Sequence, residues 1–133
     1  MPSLIRLAII GMCLVAAPAV QAQDTIIGTW VGEATQGETK FETRLTFVSP
    51  TGGVSRYPSF VCGGILAGDR RDDTYEFNET VTWGGMDEKP DGCIHGVVRL
   101  TVDGDKMKYE WSGTHNGENY SAAGELHRVK RRR

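Results

Sequence analysis

Histidine and cysteine are scarce in this chain, which contains three of each among 133 residues. The histidines, His95, His115 and His127, are far apart, and none belongs to a recognised catalytic or metal-binding motif. The serine-hydrolase elbow Gly-x-Ser-x-Gly, the zinc motif His-Glu-x-x-His and the phosphate-binding loop are all missing from the sequence. Structural zinc normally needs four ligands, and Cys93-x-His95 offers two. We therefore predict no catalytic residues, no metal site, no cofactor and no enzymatic activity.

Positive charge is also scarce before the end of the chain. The net charge is −2, and five of the 15 lysines and arginines fall between residues 128 and 133. Nucleic-acid binding needs many cations spread over a surface to neutralise phosphates, so we predict no nucleic-acid partner. The basic tail at residues 130–133 is typical of a disordered, solubilising end or of a weak attraction to anionic lipid.

Only one long apolar run is present, and it lies at the start of the sequence. Residues 1–22 combine Arg6, an apolar core at 7–20 that a proline interrupts, and the small residue Ala22 at a cleavage position. A membrane-spanning helix needs about 20 apolar residues, which this run does not reach. We predict a signal peptide that carries Cys13 away on cleavage, a secreted or periplasmic protein, and no transmembrane segment afterwards.

Helical periodicity is missing from the remaining sequence, where apolar and polar residues alternate with a period of two between short turns rich in Gly, Asn and Asp. The charged stretch 69–73 and the stretch 84–92 are expected to be loops. Pro58 cannot donate to a strand ladder, so it requires an edge position or a bulge. The pattern predicts eight strands, at residues 26–34, 40–48, 54–62, 65–67, 74–83, 95–102, 106–114 and 119–129.

Eight short strands with mostly tight connections predict an all-β domain over residues 23–129. We expect a single antiparallel eight-stranded meander barrel, because closure removes the exposed edges that a protein without covering helices would otherwise present. A two-sheet β-sandwich is the alternative.

Two cysteines remain after the predicted cleavage, Cys62 and Cys93. In an oxidising compartment we expect them to form one disulfide. The loop-entropy relation gives such a crosslink roughly 3 to 4 kcal/mol of stability. A structural role is therefore the favoured interpretation of this pair.

Glu79 is unusual because its position in an alternating strand puts it on the apolar face, between Phe77 and Val81. An unpaired buried carboxylate is costly, so Glu79 should have a basic or hydrogen-bonding partner. Arg99 and Arg128 are the candidates by residue type. Glu79 is then either half of an internal ion pair or a polar contact for a ligand in a cavity.

The ends of the predicted domain resemble those of lipocalin and avidin-like barrels, in Gly28-Thr29-Trp30 on the first strand and Arg128 on the last. The resemblance implies that Trp30 packs beneath the basic residue and that the barrel encloses a ligand cavity. The polar and aromatic contacts of the biotin-binding members are missing. The patterns Tyr57-x-Ser59-x-x-Cys62-Gly63-Gly64, Cys93-x-x-Gly96 and Tyr109-x-Trp111 are also similar to small extracytoplasmic bacterial β modules, which imply no chemistry.

We expect an exported, non-enzymatic binding module for a small, partly apolar ligand. The alternative is a secreted protein-binding or enzyme-inhibitor module that uses the loops around Pro58 and at 84–92. A roomy interior favours the first function, and a filled interior with an exposed aromatic patch favours the second. A hydrolase would need two acids, or an acid and a histidine, to converge in a cleft. The residues predicted to contact the ligand are Trp30, Tyr75, Glu79, Tyr109, Trp111 and Arg128.

Overall fold

The chain forms a closed barrel of eight antiparallel strands, seen in a computed structural model that describes residues 26–130. Each strand pairs with the next in sequence, and the last pairs with the first, which confirms the predicted meander barrel. The predicted signal peptide at 1–22 and tail residues 131–133 lie outside the described residues. The strands are β1 (Gly28–Gln36), β2 (Thr39–Ser49), β3 (Gly52–Tyr57), β4 (Cys62–Arg71), β5 (Thr74–Trp83), β6 (Gly96–Asp103), β7 (Lys106–His115) and β8 (Glu118–Arg128).

The core occupies the barrel interior, where alternate residues of every strand point inward. An eight-stranded barrel is just wide enough for its own side chains to fill, unless some positions carry small residues or leave room for a ligand. Much of the interior is filled by a cluster of buried hydrophobic side chains. Its largest fully buried side chains include Trp30, Phe47, Phe77, Leu100 and Leu126.

One end of the barrel is plugged by Trp30 and Arg128, which are paired across β1 and β8. Trp30 is completely buried, and its Nε1 donates a hydrogen bond to the Ile26 carbonyl over 2.9 Å. The Arg128 guanidinium carbon lies 4.3 Å from the indole centroid, in cation–π geometry. Arg128 also donates to the Ile27 carbonyl at 2.7 Å and pairs with Asp105 at 3.2 Å. We call this the closed end.

The boundary between the third and fourth strands differs from the prediction. β3 ends at Tyr57, and Pro58–Phe60 forms a 3₁₀ turn instead of continuing the strand. Proline suits the start of a helical turn, because its fixed φ is already helical and its missing N–H would be unpaired there. Pro58 therefore lies outside the sheet, at neither the edge position nor the bulge expected from the sequence.

The fourth strand is longer than the predicted 65–67, because Gly63 and Gly64 belong to it. A Cβ on Gly64 would lie 2.1 Å from the Thr80 carbonyl oxygen, so glycine is needed there for β4 and β5 to approach each other. The first three residues of the charged stretch 69–73 also continue β4, paired with β5, and only the turn at 72–73 is a loop.

The end opposite Trp30 carries the longer connections. They are the 3₁₀ turn after β3 and the segment 84–95 between β5 and β6, and the two-residue hairpin turns at 37–38 and 116–117 lie at the same end. Within residues 26–130, the structure contains no helix of the length and apolarity that crossing a membrane requires. We call the end with the longer connections the open end, and it holds the candidate site.

Candidate functional site

The rim of the open end is held together by a disulfide. Cys62 and Cys93 are bonded, as predicted, with 6.2 Å between their Cα atoms. The bond ties the start of β4 to the segment 84–95. Lys89 adds a second tie, because its Nζ donates a hydrogen bond of 2.7 Å to the Phe60 carbonyl of the 3₁₀ turn. The two longest connections at this end therefore form one crosslinked unit.

A cavity of about 290 Å³ lies inside the barrel beneath this rim. Aromatic side chains make up a large part of its wall. Phe41 anchors one side, with its ring centroid 5.8 Å from that of Tyr57 in an edge-to-face contact and 5.0 Å from that of Phe60. The aromatic residues that line the cavity are Phe41, Tyr57, Phe60, Tyr109, Trp111 and Tyr120.

The floor of the cavity is built around the carboxyl group of Glu79, whose residue is only 3% exposed. The Tyr57 hydroxyl donates to Glu79 Oε2 over 2.6 Å, and Trp111 Nε1 donates to Oε1 over 3.0 Å. Tyr109 lies 2.9 Å from Tyr57, hydroxyl to hydroxyl. These side chains come from β3, β5 and β7, and their hydrogen bonds bring them together inside the barrel. We call Tyr57, Glu79, Tyr109 and Trp111 the polar floor.

Counting the available hydrogens fixes the direction in which hydrogen bonds are donated along the polar floor. A tyrosine hydroxyl has one hydrogen, and that of Tyr57 is donated to Glu79. Tyr109 must therefore donate its own hydrogen to the Tyr57 oxygen. The chain runs from Tyr109 through Tyr57 to Glu79, and it ends on a group that accepts from both sides.

Burial and hydrogen bonding act on Glu79 in opposite directions. Removal from water raises the pKa of the carboxyl, and this effect exceeds the lowering by the donors Tyr57 and Trp111 and by the nearby His95 imidazole. The pKa of Tyr57 is raised well above its usual value, chiefly by burial and then by Tyr109 and Glu79. The pKa of Tyr109 is raised as well, by burial and the adjacent carboxyl. Both phenols therefore remain hydrogen-bond donors at ordinary pH.

Two further polar groups approach the polar floor. The hydroxyl of Ser55 on β3 is buried and faces Glu79 closely enough to favour its ionised form, although it makes no hydrogen bond of good geometry. His95 Nδ1 accepts a hydrogen bond from the Val81 amide at 3.0 Å. That bond requires a lone pair on Nδ1, so the neutral imidazole carries its hydrogen on Nε2.

The structure gathers three of the six residues that the sequence predicted as ligand contacts. Glu79, Tyr109 and Trp111 line the cavity together. Trp30 and Arg128 instead form the plug at the closed end. Tyr75 is buried toward the same end, where its ring stacks on Phe77 with 6.1 Å between centroids. Trp30, Tyr75 and Arg128 therefore line no part of the cavity.

The expected arginine partners of Glu79 are also elsewhere. Arg99 points outward and pairs with Glu76 on the barrel surface at 3.1 Å. Arg128 lies at the closed end. Among residues 26–130, no lysine or arginine forms an ion pair with Glu79, so the internal ion pair is replaced by hydrogen bonds from neutral donors.

Sequence reasoning missed Tyr57, Phe41 and Phe60 as cavity residues. Tyr57 and Phe41 occupy inward positions of their strands, so the alternation of the sequence indicated that they face the interior. The alternation could not indicate at which height along the barrel the interior is open. Phe60 lies in the 3₁₀ turn, where strand parity does not apply.

The rim of the cavity adds an acid and a histidine, Asp91 and His115. Neither makes a hydrogen bond to Glu79 among the described contacts. Within residues 26–130, no three His, Cys, Asp or Glu side chains are grouped so that they could hold a metal ion.

Comparison with known proteins identifies no relative: no protein-family model, no curated protein and no solved structure matches the chain.

Proposed function

We propose that this protein is an exported binding module, without enzymatic activity, for a small and partly apolar molecule. The observation that carries the proposal is the cavity at the open end, which combines aromatic walls with a hydrogen-bonded carboxyl group on its floor. Binding sites for small molecules are typically concave and largely apolar, with a few polar groups that orient the ligand. A barrel whose interior served only stability would be filled along its whole length.

The cavity volume limits the size of the ligand. A cavity of about 150 Å³ binds benzene. The volume here is about 290 Å³, and by proportion it suits a molecule of about a dozen non-hydrogen atoms. A fatty acid, a steroid or a haem would extend beyond this volume. The proposal therefore concerns compact molecules, such as those with one aromatic ring and a short polar chain.

Export is the second part of the proposal. The disulfide between Cys62 and Cys93 supports it, because such crosslinks form and persist in oxidising compartments. The apolar run at residues 1–22 supports it independently. Mass spectrometry of the N-terminal peptide of the protein recovered from culture medium or periplasm should place the first residue at Gln23. Recovery of the protein only from the cytoplasm, with its leader intact, would contradict export.

Binding can be tested with a cavity-blocking variant. Gln36 lines the cavity at the end of β1, whereas its neighbour Thr35 faces outward. We expect 2-phenylethanol to change the fluorescence of Trp111 on titration. Gln36→Trp should weaken this binding by about tenfold or more, while Thr35→Trp leaves it unchanged. Equal binding by both variants, or no binding by the wild-type protein of either 2-phenylethanol or its amine analogue at millimolar concentration, would refute the proposal.

A protein partner is the second candidate, favoured by exposed apolar side chains at the open end. Val61 is 60% exposed, and Trp83 and Met86 are about one third exposed. Val61 also has a φ of 53°, a conformation that β-branched residues rarely adopt. Asparagine tolerates this conformation, so Val61→Asn should fold normally. Native mass spectrometry of protein from its own host tests the idea: a co-purifying protein that Val61→Asn loses supports it, and a bound small molecule instead supports the first proposal.

A further inference from the structure

We infer that the molecule bound in this cavity carries a positively charged nitrogen, as a primary amine or a related organic ammonium does. The inference rests on the proposed binding function and specifies its ligand class. Four observations support it: the unused acceptor capacity of Glu79, the missing counter-cation, the aromatic walls and the charge of the rim.

Glu79 has acceptor capacity to spare. A carboxylate has about four lone-pair sites, and each oxygen of Glu79 receives one hydrogen bond, from Tyr57 and from Trp111. Because the carboxyl group lines the cavity, the remaining sites are available to a ligand there. An ammonium group supplies up to three N–H donors, and bonds of this kind between charged groups are among the strongest in proteins.

No lysine or arginine of the described residues neutralises this carboxyl group, although the His95 imidazole lies near enough to lower its pKa. No lysine or arginine among residues 26–130 pairs with it, and none lines the cavity. A buried carboxylate without a counter-ion is costly, and a ligand that brings the counter-ion removes that cost. In the same surroundings an anionic ligand would add a second negative charge beside Glu79.

The aromatic walls are suited to the same kind of ligand. The face of an aromatic ring is negative and attracts cations, and cages of several rings bind ammonium groups. Tyr57 and Trp111 direct their polar edges at Glu79, and a ligand nitrogen near that carboxyl group would lie among the aromatic side chains of the cavity wall. At the rim, Asp91 contributes a further negative charge, and among residues 26–130 His115 is the only basic side chain that lines the cavity.

Proton release should accompany binding. The titratable groups that face Glu79 are Tyr57 from β3, Tyr109 from β7 and His95 from the segment 84–95. Since burial raises the pKa of Glu79, part of the free protein holds a proton on this carboxyl below that pKa. A bound ammonium ionises the carboxyl and displaces the proton to solvent. Affinity for an amine should therefore rise with pH until Glu79 is fully ionised.

The test compares two probes of nearly equal shape, 2-phenylethylamine and 2-phenylethanol, by isothermal titration calorimetry at several pH values from about 5 to about 8. Two buffers that contain no primary amine and differ in their heat of ionisation are used, because Tris would compete as an amine. We expect the amine to bind about tenfold or more tightly than the alcohol once Glu79 is ionised, with a buffer-dependent heat at lower pH that reveals the released proton. Glu79→Gln should abolish this preference by weakening amine binding, and alcohol binding should change by no more than about threefold.

The outcomes separate the two proposals. Equal affinities for amine and alcohol, or a preference that survives Glu79→Gln, overturn the inference about charge and leave the binding function intact. Failure of both probes to bind wild-type protein overturns both. If Glu79→Gln does not fold, the comparison of the two probes on the wild-type protein, with Gln36→Trp as the blocked control, decides the question alone.

Discussion

The raised pKa of Glu79 has a consequence for stability that runs opposite to the behaviour of most carboxyl groups. Glutamine has the same shape and can keep all three hydrogen bonds of the polar floor. Its Oε1 accepts from Trp111, its Nε2 donates to Tyr57, and Tyr57 then donates to Tyr109 in the reversed direction. Glu79→Gln therefore removes the titration and retains the hydrogen bonds.

The sign of the effect follows from proton linkage. Between the usual carboxyl pKa of 4.5 and the raised pKa in the folded protein, the folded state holds a proton that the unfolded state has lost. Stability then decreases as the pH rises. Relative to Glu79→Gln, the wild-type protein should lose about 1.4 kcal/mol per pH unit across this window and reach a constant difference above it.

Urea denaturation, followed by tryptophan fluorescence between about pH 4 and about pH 8, measures this difference directly. Glu110→Gln, at an exposed position of β7, controls for the loss of one negative charge. A difference that moves in favour of the wild-type protein as the pH rises would show that the donors outweigh burial. The reasoning about Glu79 would then be wrong.

Three further variants test the contacts that stabilise the barrel. Replacing Cys62 and Cys93 together by alanine should lower the free energy of unfolding by roughly 3 to 4 kcal/mol in chemical denaturation, because 31 residues separate the two cysteines. Gly64→Ala should cost about 1 to 3 kcal/mol by the same measurement, whereas Gly52→Ala, whose added Cβ meets nothing closer than 3.7 Å, should be tolerated. Arg128→Leu keeps an aliphatic side chain over the closed end but loses the cation–π contact and the ion pair, which should lower the melting temperature and the unfolding free energy by about 1 to 2 kcal/mol.

The sequence predicted the barrel well because all eight strands follow the same alternation of residues. Every strand must alternate between interior and exterior, and this period of two is visible from residue 28 to residue 128. The errors lie at residues whose composition suggests a loop or a break but which belong to a strand. The charged residues at 69–71 were predicted to be a loop, but charged side chains on the outer surface of a strand stay in water and carry no desolvation penalty. Gly63 and Gly64 were predicted to interrupt the strand, but they belong to it and permit close contact between neighbouring strands.

The candidate site was only partly predictable. The alternation of inward and outward residues identified Glu79, Tyr109 and Trp111 as interior residues. It identified Trp30, Tyr75 and Arg128 as interior residues equally well. Parity cannot show which interior residues meet a cavity, because that depends on how each end of the barrel is covered. The height of a residue along the barrel axis, set by strand register, separates the two groups.

The pairing of the first and last strands has a practical consequence for handling the protein. Gly28 and Arg128 both lie at the closed end, so the chain enters and leaves the barrel on the side away from the cavity. An affinity tag or surface attachment beyond either position would orient immobilised molecules with their cavities toward the solution. Attachment at the hairpin turn 116–117 would instead press the entrance against the support. A biosensor chip for binding measurements should therefore be coupled through a terminus.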